Sequence, residues 1–473
     1  MTGQTNHEMK RYKVALKMSV DFRLRTPLLL RSGQEGEFAD SAIEKTPEGH
    51  LHVNGYVWAG LLRRAIQRVS GGETLAGRIG KYDESSGPGV SPLWCESSFA
   101  MPLDTDIKPG NRLSRMYGSA EDGALYSDEL VPPGLGLAMS FNYFAEMAED
   151  VGTAKAFFLK TLRVIHDGIE NIGGGWSYGL GRLDVIRVRV RNLDLTKAEE
   201  RALLWNFDDL QWDEEMNRSE LPFPELFLPY KRLRVKAHIL PGQLMAIHSG
   251  YPAFDTVGHY FEYPDTFIYR QSYFDSGSVR TQVVIPGKTI RQALFVVPLE
   301  RKLRTTEPDA ICDTVGGVCS CSICKEHRNA SGKKNEISPK CECKRCRWFG
   351  STGRSGIIAV SDAVVHNPDA IVLSRVQLCE HSMQNIQLFS GEYLRKADFE
   401  FDILVDYTNP GGGGEELLGE IDCLLEDIAK DSNAPPGWHR LGATSTCTGQ
   451  VEIEEIREFE WADEKADEIA NVC

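Results

Sequence analysis

The run Gly173-Gly174-Gly175-Trp176-Ser177-Tyr178-Gly179-Leu180-Gly181-Arg182 places five glycines within nine residues and ends on a base. Without Cβ atoms, such a stretch lets one backbone lie directly against another and enter the left-handed region that other residues avoid. It ends a stretch, Thr153 to Ile172, that reads as a helix, and leads into Leu183 to Val190, where valine, isoleucine and arginine alternate as in a strand. Amides in a loop of this kind suit phosphate oxygens. Gly173, Gly174, Gly175, Gly179, Gly181 and Arg182 are therefore candidate phosphate contacts. The spacing is not that of a dinucleotide fingerprint, and no Gly-Lys-Ser/Thr follows, which excludes a P-loop.

Upstream, Tyr12 to Arg31 alternates apolar with polar or small residues through Val14, Leu16, Met18, Val20, Phe22 and Leu24, the period of a strand. Leu51 to Val53 is a second short strand. Asn54-Gly55 then turns into a helix over about Val57 to Val69, with Leu61, Leu62 and Ile66 on one face and Arg63, Arg64 and Arg68 more exposed. A long excursion from Asp104 to Pro133 precedes a strand at Leu137 to Met147. The order strand, helix, strand, strand, helix, strand predicts an α+β, ferredoxin-like split fold.

The same order recurs. Leu233 to His248 reads as strand, His248-Ser249-Gly250 echoes Arg31-Ser32-Gly33, and Pro286-Gly287 stands before a helix from Lys288 to Val297 as Asn54-Gly55 does. Gln387-Leu388-Phe389-Ser390-Gly391-Glu392 echoes Ala124-Leu125-Tyr126-Ser127-Asp128-Glu129. Leu441 to Gly449 occupies the place of the glycine run in degraded form. Shared order predicts an internal duplication: a first domain over 1–205 with an inserted hairpin at about 104–134, a polar, proline-punctuated linker over 206–229, and a second domain over 230–473.

The sum of 53 Lys and Arg against 68 Asp and Glu gives a net charge of −15, which excludes a generally basic nucleic-acid coat but not a local basic channel. Glu452 to Glu468 alone holds nine acids and two bases and reads as a solvated acidic tail. No apolar run is long enough for a membrane span, and the polar start lacks an export signal, so a cytoplasmic protein without a membrane partner is expected.

Seven of the twelve cysteines lie between Cys312 and Cys346. Cys319-Ser320-Cys321-Ser322-Ile323-Cys324 and Cys341-Glu342-Cys343-Lys344-Arg345-Cys346 are two copies of C-x-C-x-x-C. Their C-x-x-C pairs, Cys321/Cys324 and Cys343/Cys346, are eighteen residues apart. That is zinc-ribbon spacing, with four thiolates for a structural Zn²⁺. Cys319 or Cys341 could replace a neighbour, and iron–sulfur is the alternative. The insertion spans about 305–347.

Four segments together resemble the RAMP (repeat-associated mysterious protein) superfamily of CRISPR systems: the glycine run 173–182, the Asn54-Gly55 turn into a basic helix, Asn111 to Gly134, and Trp348-Phe349-Gly350-Ser351 leading to Ser361-Asp362-Ala363. The pattern is most similar to backbone subunits of type III effector complexes, here as a tandem fusion. The resemblance implies ferredoxin-like palms with β-hairpin thumbs, lined along a CRISPR guide RNA, with a complementary target RNA and other type III effector subunits as partners. It implies guide contacts from Arg31, Asn54, Gly55, Arg63, Arg64, Lys288 and the glycine run, and from thumb residues Met116 and Tyr117, which would wedge between bases.

In that family one loop aspartate cuts the target. Asp40, fifteen residues before Gly55, stands in its place, and Asp265 is the choice in the second copy, with Asp255 and Asp275 as rivals. A carboxylate there would hold a divalent ion, Mg²⁺ or Mn²⁺, near the scissile phosphate or help activate a ribose 2′-OH. The implied activity is endoribonuclease cleavage within a complex. The alternatives are a non-catalytic guide-binding scaffold, and a zinc-ribbon nucleic-acid-binding or assembly protein outside CRISPR.

Overall fold

The computed structural model describes residues 12–36, 39–79, 91–101, 105–113, 120–204, 211–222, 224, 230–248, 264–275, 278–308, 311, 314–315, 318–319, 343–350, 355–378, 385–407, 413–430, 440–442 and 449–458. The fold is α+β, built on two antiparallel sheets.

The N-terminal half runs β1 (Val14–Leu24), β2 (Leu51–Val53), α1 (Gly55–Arg68), α2 (Glu73–Arg78), β3 (Leu93–Cys95), β4 (Ser98–Ala100), β5 (Asp106–Leu113), β6 (Ala120–Leu130), β7 (Gly136–Ala145), α3 (Ala148–His166), β8 (Leu183–Asp194) and β9 (Glu214–Asn217). Its sheet has the order β3-β7-β1-β8-β9. The alternation in β1 decides which face is covered. Leu16, Met18, Val20, Phe22 and Leu24 all point into one core with α1 and α3. Phe22 stacks on Trp58 of α1 at 5.7 Å and Phe141 meets Phe158 of α3 at 4.8 Å, so both helices lie on that face. β5 and β6 form a separate hairpin, with Asp106 opposite Leu130.

The C-terminal half begins at β10 (Tyr230–Ile239), followed by a hairpin of β11 (Arg270–Asp275) and β12 (Ser278–Ile285). The chain is then helical from Gly287 to Thr306, interrupted by a π turn at Arg291–Val296. Pro298 explains the π turn, because it lacks an N–H and its ring crowds the preceding turn. After the short strands β13 (Thr314–Val315) and β14 (Val318–Cys319) come β15 (Ile358–Val360), β16 (Ala363–Leu378), β17 (Asn385–Asp406), a helix at Gly414–Lys430 and β18 (Val451–Glu458). Leu417, Ile421, Leu424 and Leu425 repeat at helical spacing along one stripe of that last helix and enter the second core. The second sheet has the order β11-β12-β16-β17-β10-β18, and within it β18-β10-β17 lie side by side with β15 also on the far side of β17. In the first sheet, β8-β1-β7 with β3 beyond β7 is the same arrangement.

Three expectations about elements change. The helix α3 stops at His166, short of the glycine run, because Gly168 at φ +73° ends it: Gly168 N–H bonds Ile165 O at 3.0 Å and Ile169 N–H bonds Val164 O at 3.2 Å, a Schellman stop. Part of the expected linker is built into the first sheet, since Glu214–Asn217 pairs with β8. The strand expected to reach His248 ends at Ile239. The expected acidic tail beyond Glu458, and most of the cysteine-rich insertion, lie outside the described residues. Among the described residues no helix is long and apolar enough to cross a membrane.

Candidate nucleic-acid interface

The glycine run is shaped by contact with other backbone. Gly173, Gly175, Gly179 and Gly181 all have φ between +71° and +80°. A Cβ on Gly181 would sit 1.9 Å from Ile172 O, and one on Gly173 would sit 2.4 Å from Leu29 O. The amides of Gly174, Gly179 and Gly181 donate to the carbonyls of Leu29, Trp176 and Pro27. These three N–H groups serve packing, so the expectation that the loop offers them to phosphate is corrected. The degraded counterpart keeps the same logic. Gly442 (φ +71°) lies against Ala246 O and Gly449 (φ +84°) against Leu441 O, at distances that exclude a side chain.

Beside the loop, Leu29, Leu30, Arg31, Tyr56, Val57, Gly60, Arg64, Gly173 and Gly174 line an open groove of about 300 Å³. The groove brings Arg31, Arg64, Gly173 and Gly174 together. It lies at the N-terminus of α1, where the helix dipole favours an anion. Asn54 starts that helix by accepting Tyr56 N–H at 3.3 Å, so its side chain acts as a cap. Gly55 is required by close approach, because a Cβ would lie 2.2 Å from Cys95 O. Gly287 repeats this, with a Cβ 2.3 Å from Val360 O. Tyr56 is 69% exposed at the groove.

The bases have partners. Arg31 forks onto Asp128 through Nε (3.1 Å) and Nη2 (2.9 Å). Arg64 donates to Glu170 (3.1 Å) and to Asn171 O (3.1 Å), and Arg68 reaches Glu170 (2.7 Å) and Asp406 (3.3 Å). Arg63 is half-buried and outside the groove lining. Arg182 departs most from expectation. It is buried and pairs with Asp402 of β17 at 3.3 Å, so it does not face solvent. Burial pulls its pKa down to about 10, with Asp402 opposing. Lys288 is also engaged: its Nζ bonds the Tyr126 hydroxyl and lies 4.6 Å from the centre of that ring. Met116 and Tyr117 lie outside the described residues.

Asp40 and Asp265 are both exposed and occupy matching positions. Asp40 Oδ2 accepts Ser127 N–H at 2.6 Å and Ser127 Oγ–H at 2.9 Å. Asp265 Oδ2 accepts Ser390 N–H at 2.6 Å and Ser390 Oγ–H at 3.3 Å. Three residues on, Ile43 N–H bonds Glu129 Oε2 (3.0 Å) and Ile268 N–H bonds Glu392 Oε2 (3.1 Å). Burial pushes the Glu129 carboxyl up, but hydrogen bonds from Lys45, Thr105 and Ile43 outweigh it, leaving the pKa below the usual value. Of the rivals, Asp255 lies outside the described residues and Asp275 sits at the tip of the β11–β12 hairpin, opposite Ser278. Ser127, Ser390, Glu129, Glu392 and Asp402 were not singled out from sequence. The first four lay within the repeated segment, which was the available signal.

Cys343 and Cys346 are buried, and Cys343 caps the helix Lys344–Phe349 by accepting Cys346 N–H on Sγ at 3.4 Å. Cys321, Cys324 and Cys341 lie outside the described residues, and Cys319 ends β14. Among the described residues no three His, Cys, Asp or Glu side chains converge.

Residues 21–184, from β1 to the start of β8, match the RAMP superfamily. The matched span contains Asp40, the groove and the whole glycine run. No curated protein matches the chain.

Proposed function

We propose that this chain is a tandem RAMP backbone subunit of a type III CRISPR effector complex, which holds a guide RNA and cuts the complementary target RNA at Asp40 and Asp265. The observation that carries it is the repeated constellation: an exposed loop aspartate, held by the serine of a Ser-x-Glu strand edge, occurs once in the RAMP-matched segment and once in the other half. The shared strand order of the two sheets supports reading the second half as a further RAMP domain.

The guide would be held by its sugar–phosphate backbone along the groove, near Arg31, Arg64, Tyr56 and the N-terminus of α1. Such contacts are indifferent to sequence, as a scaffold for varied guides must be. A bound Mg²⁺ or Mn²⁺ would stabilise charge on the phosphate undergoing cleavage. Asp40 would give such an ion one carboxylate, and RNA oxygens would supply other ligands. A structural Zn²⁺ would be held by Cys343 and Cys346 with Cys321 and Cys324, and Cys319 or Cys341 in reserve. It would tie the polar insertion to the second core through the helix Lys344–Phe349, whose Trp348 and Phe349 lie in that core.

A second reading is a scaffold that binds guide RNA without cutting. It is favoured by the fact that Asp40 Oδ2 is already occupied by two donors, as a purely structural loop would have it. One experiment separates the two. In the assembled complex, Asp40→Ala abolishes one target cut and Asp265→Ala another while guide RNA stays bound. An unchanged cleavage ladder in both variants refutes catalysis and leaves the scaffold.

A further inference from the structure

We infer that Ser127 and Ser390 are positioning residues, each fixing the orientation of one cutting aspartate. The inference rests on the proposed roles of Asp40 and Asp265 and adds a residue to each site.

The contact is two-way in both halves. The Ser127 hydroxyl donates to Asp40 Oδ2 and accepts Asp40 N–H at 3.1 Å. The Ser390 hydroxyl donates to Asp265 Oδ2 and accepts Asp265 N–H at 3.3 Å. With the serine N–H, three hydrogen bonds define the backbone and one carboxylate oxygen of Asp40, and Asp265 adds a fourth, from its N–H to Ser390 O at 3.0 Å. Among the described residues the other oxygen, Oδ1, has no hydrogen-bond partner. An exposed aspartate in a surface loop ordinarily samples several rotamers, at an entropic cost to any geometry it must adopt in a reaction. Here the strand edge removes that freedom beforehand.

The neighbouring positions show which parts of the device are constant. Glu129 and Glu392 grip the amide three residues after each aspartate, so the loop is held at two points by side chains two apart on one strand face. The residue between differs. Asp128 pairs with Arg31 in the first half, whereas Gly391 stands in the second, where a Cβ would come within 2.9 Å of Thr266 Oγ1. Arg31 is itself replaced by His248, which bonds Glu392 O at 3.0 Å. The surroundings have diverged while the serine–aspartate contact has not. A contact needed only to close the loop could have been replaced by the flanking backbone bridges, Ser41 with Asp128 and Thr266 with Gly391, which are present in both halves.

The test uses the assembled complex with guide RNA, an end-labelled target and single-turnover rates for each cut. Misplacement of a reacting group by about 1 Å costs on the order of a hundredfold, and the serine N–H remains in an alanine variant, so Ser127→Ala is expected to slow one cut by roughly 10- to 100-fold. The slowed cut is the one that Asp40→Ala abolishes. Ser390→Ala slows only the cut that Asp265→Ala abolishes. In both cases the target concentration giving half-maximal rate is unchanged, and threonine at either position, which keeps the hydroxyl, restores the rate. If Asp40→Ala abolishes its cut but Ser127→Ala leaves the rate within about twofold, the positioning role is overturned while the catalytic reading stands. If neither aspartate variant alters any cut, the reading beneath fails and the inference falls with it. Loss of guide binding in Ser127→Ala, or failure of threonine to restore the rate, also overturns it, by making the serine a determinant of folding.

Discussion

Replacing Asp402 with asparagine tests how the two halves are joined. Asp402 lies on β17, 7% exposed, and accepts Arg182 Nη1 at 3.3 Å, Arg232 Nη2 at 2.8 Å and Arg234 Nε at 2.9 Å. Arg182 ends the glycine run of the first half, and the other two come from β10 of the second. Burial alone would push the Asp402 carboxyl up. The guanidiniums of Arg232, Arg182 and Arg234 together hold it far below the usual carboxylate range. Asparagine keeps the shape and removes the charge, leaving three buried or half-buried guanidiniums around a neutral amide. Breaking a buried ion pair from one side costs about 3–5 kcal/mol. At about 1.4 kcal/mol per tenfold, the unfolded or opened population rises by roughly a hundred- to a few thousandfold. Urea denaturation of the purified chain measures the loss. Asp21→Asn, which removes a half-buried partner of Arg187 and Arg189, is the control and should cost about 1 kcal/mol or less. The pH dependence has a definite sign. A carboxyl held low in the fold adds its full contribution above its unfolded pKa, near 4, and loses it progressively as pH falls toward the folded value. The difference between wild type and Asp402→Asn should therefore be constant at neutral pH and shrink below about pH 4. If Asp402→Asn costs no more than Asp21→Asn at neutral pH, the cluster does not join the halves.

Gly181→Ala forces a Cβ to within 1.9 Å of Ile172 O at φ +72°, so it should destabilise the loop and weaken guide-RNA binding in a filter assay, whereas Gly136→Ala, with open space around it, should do neither. Arg64→Gln should weaken guide binding and reduce the slope of log affinity against log salt by about 0.7, the share of one phosphate contact on a single strand, and an unchanged slope would place the strand elsewhere. Elemental analysis should find about one zinc per chain, lost in a Cys343→Ser/Cys346→Ser double variant, and less than half an equivalent in the wild type refutes the zinc proposal.

Backbone requirements were the most legible part of the sequence. Only glycine fits where Gly55 meets Cys95 O or Gly181 meets Ile172 O, so those positions announced themselves before any contact was known. The alternation of β1 and the stripe of α1 were visible for the same local reason: period and burial are written into neighbouring residues. The end of α3 is less legible, because the helical spacing of apolar residues continues through Ile169 and Ile172 while the stop is set by one glycine, Gly168, which supplies the positive φ.

Charges were less legible because their meaning depends on partners far along the chain. Arg182 at the end of a glycine run looks like a phosphate ligand until Asp402, 220 residues away, is seen against it. Asp265 shows the converse. Counting back to the helix glycine gives fifteen residues for Asp40 and 22 for Asp265, a longer loop in the second copy. What makes them equivalent is a serine 87 residues on in one case and 125 in the other. Loop length drifts at little energetic cost, since closure entropy grows only slowly with length, whereas a hydroxyl within 3.3 Å of a carboxylate tolerates no such drift. In a duplicated chain, then, the contact a residue makes is a better guide to its counterpart than its distance along the sequence, and the repeated Ser-x-Glu segment, legible from the start, was the element that carried it.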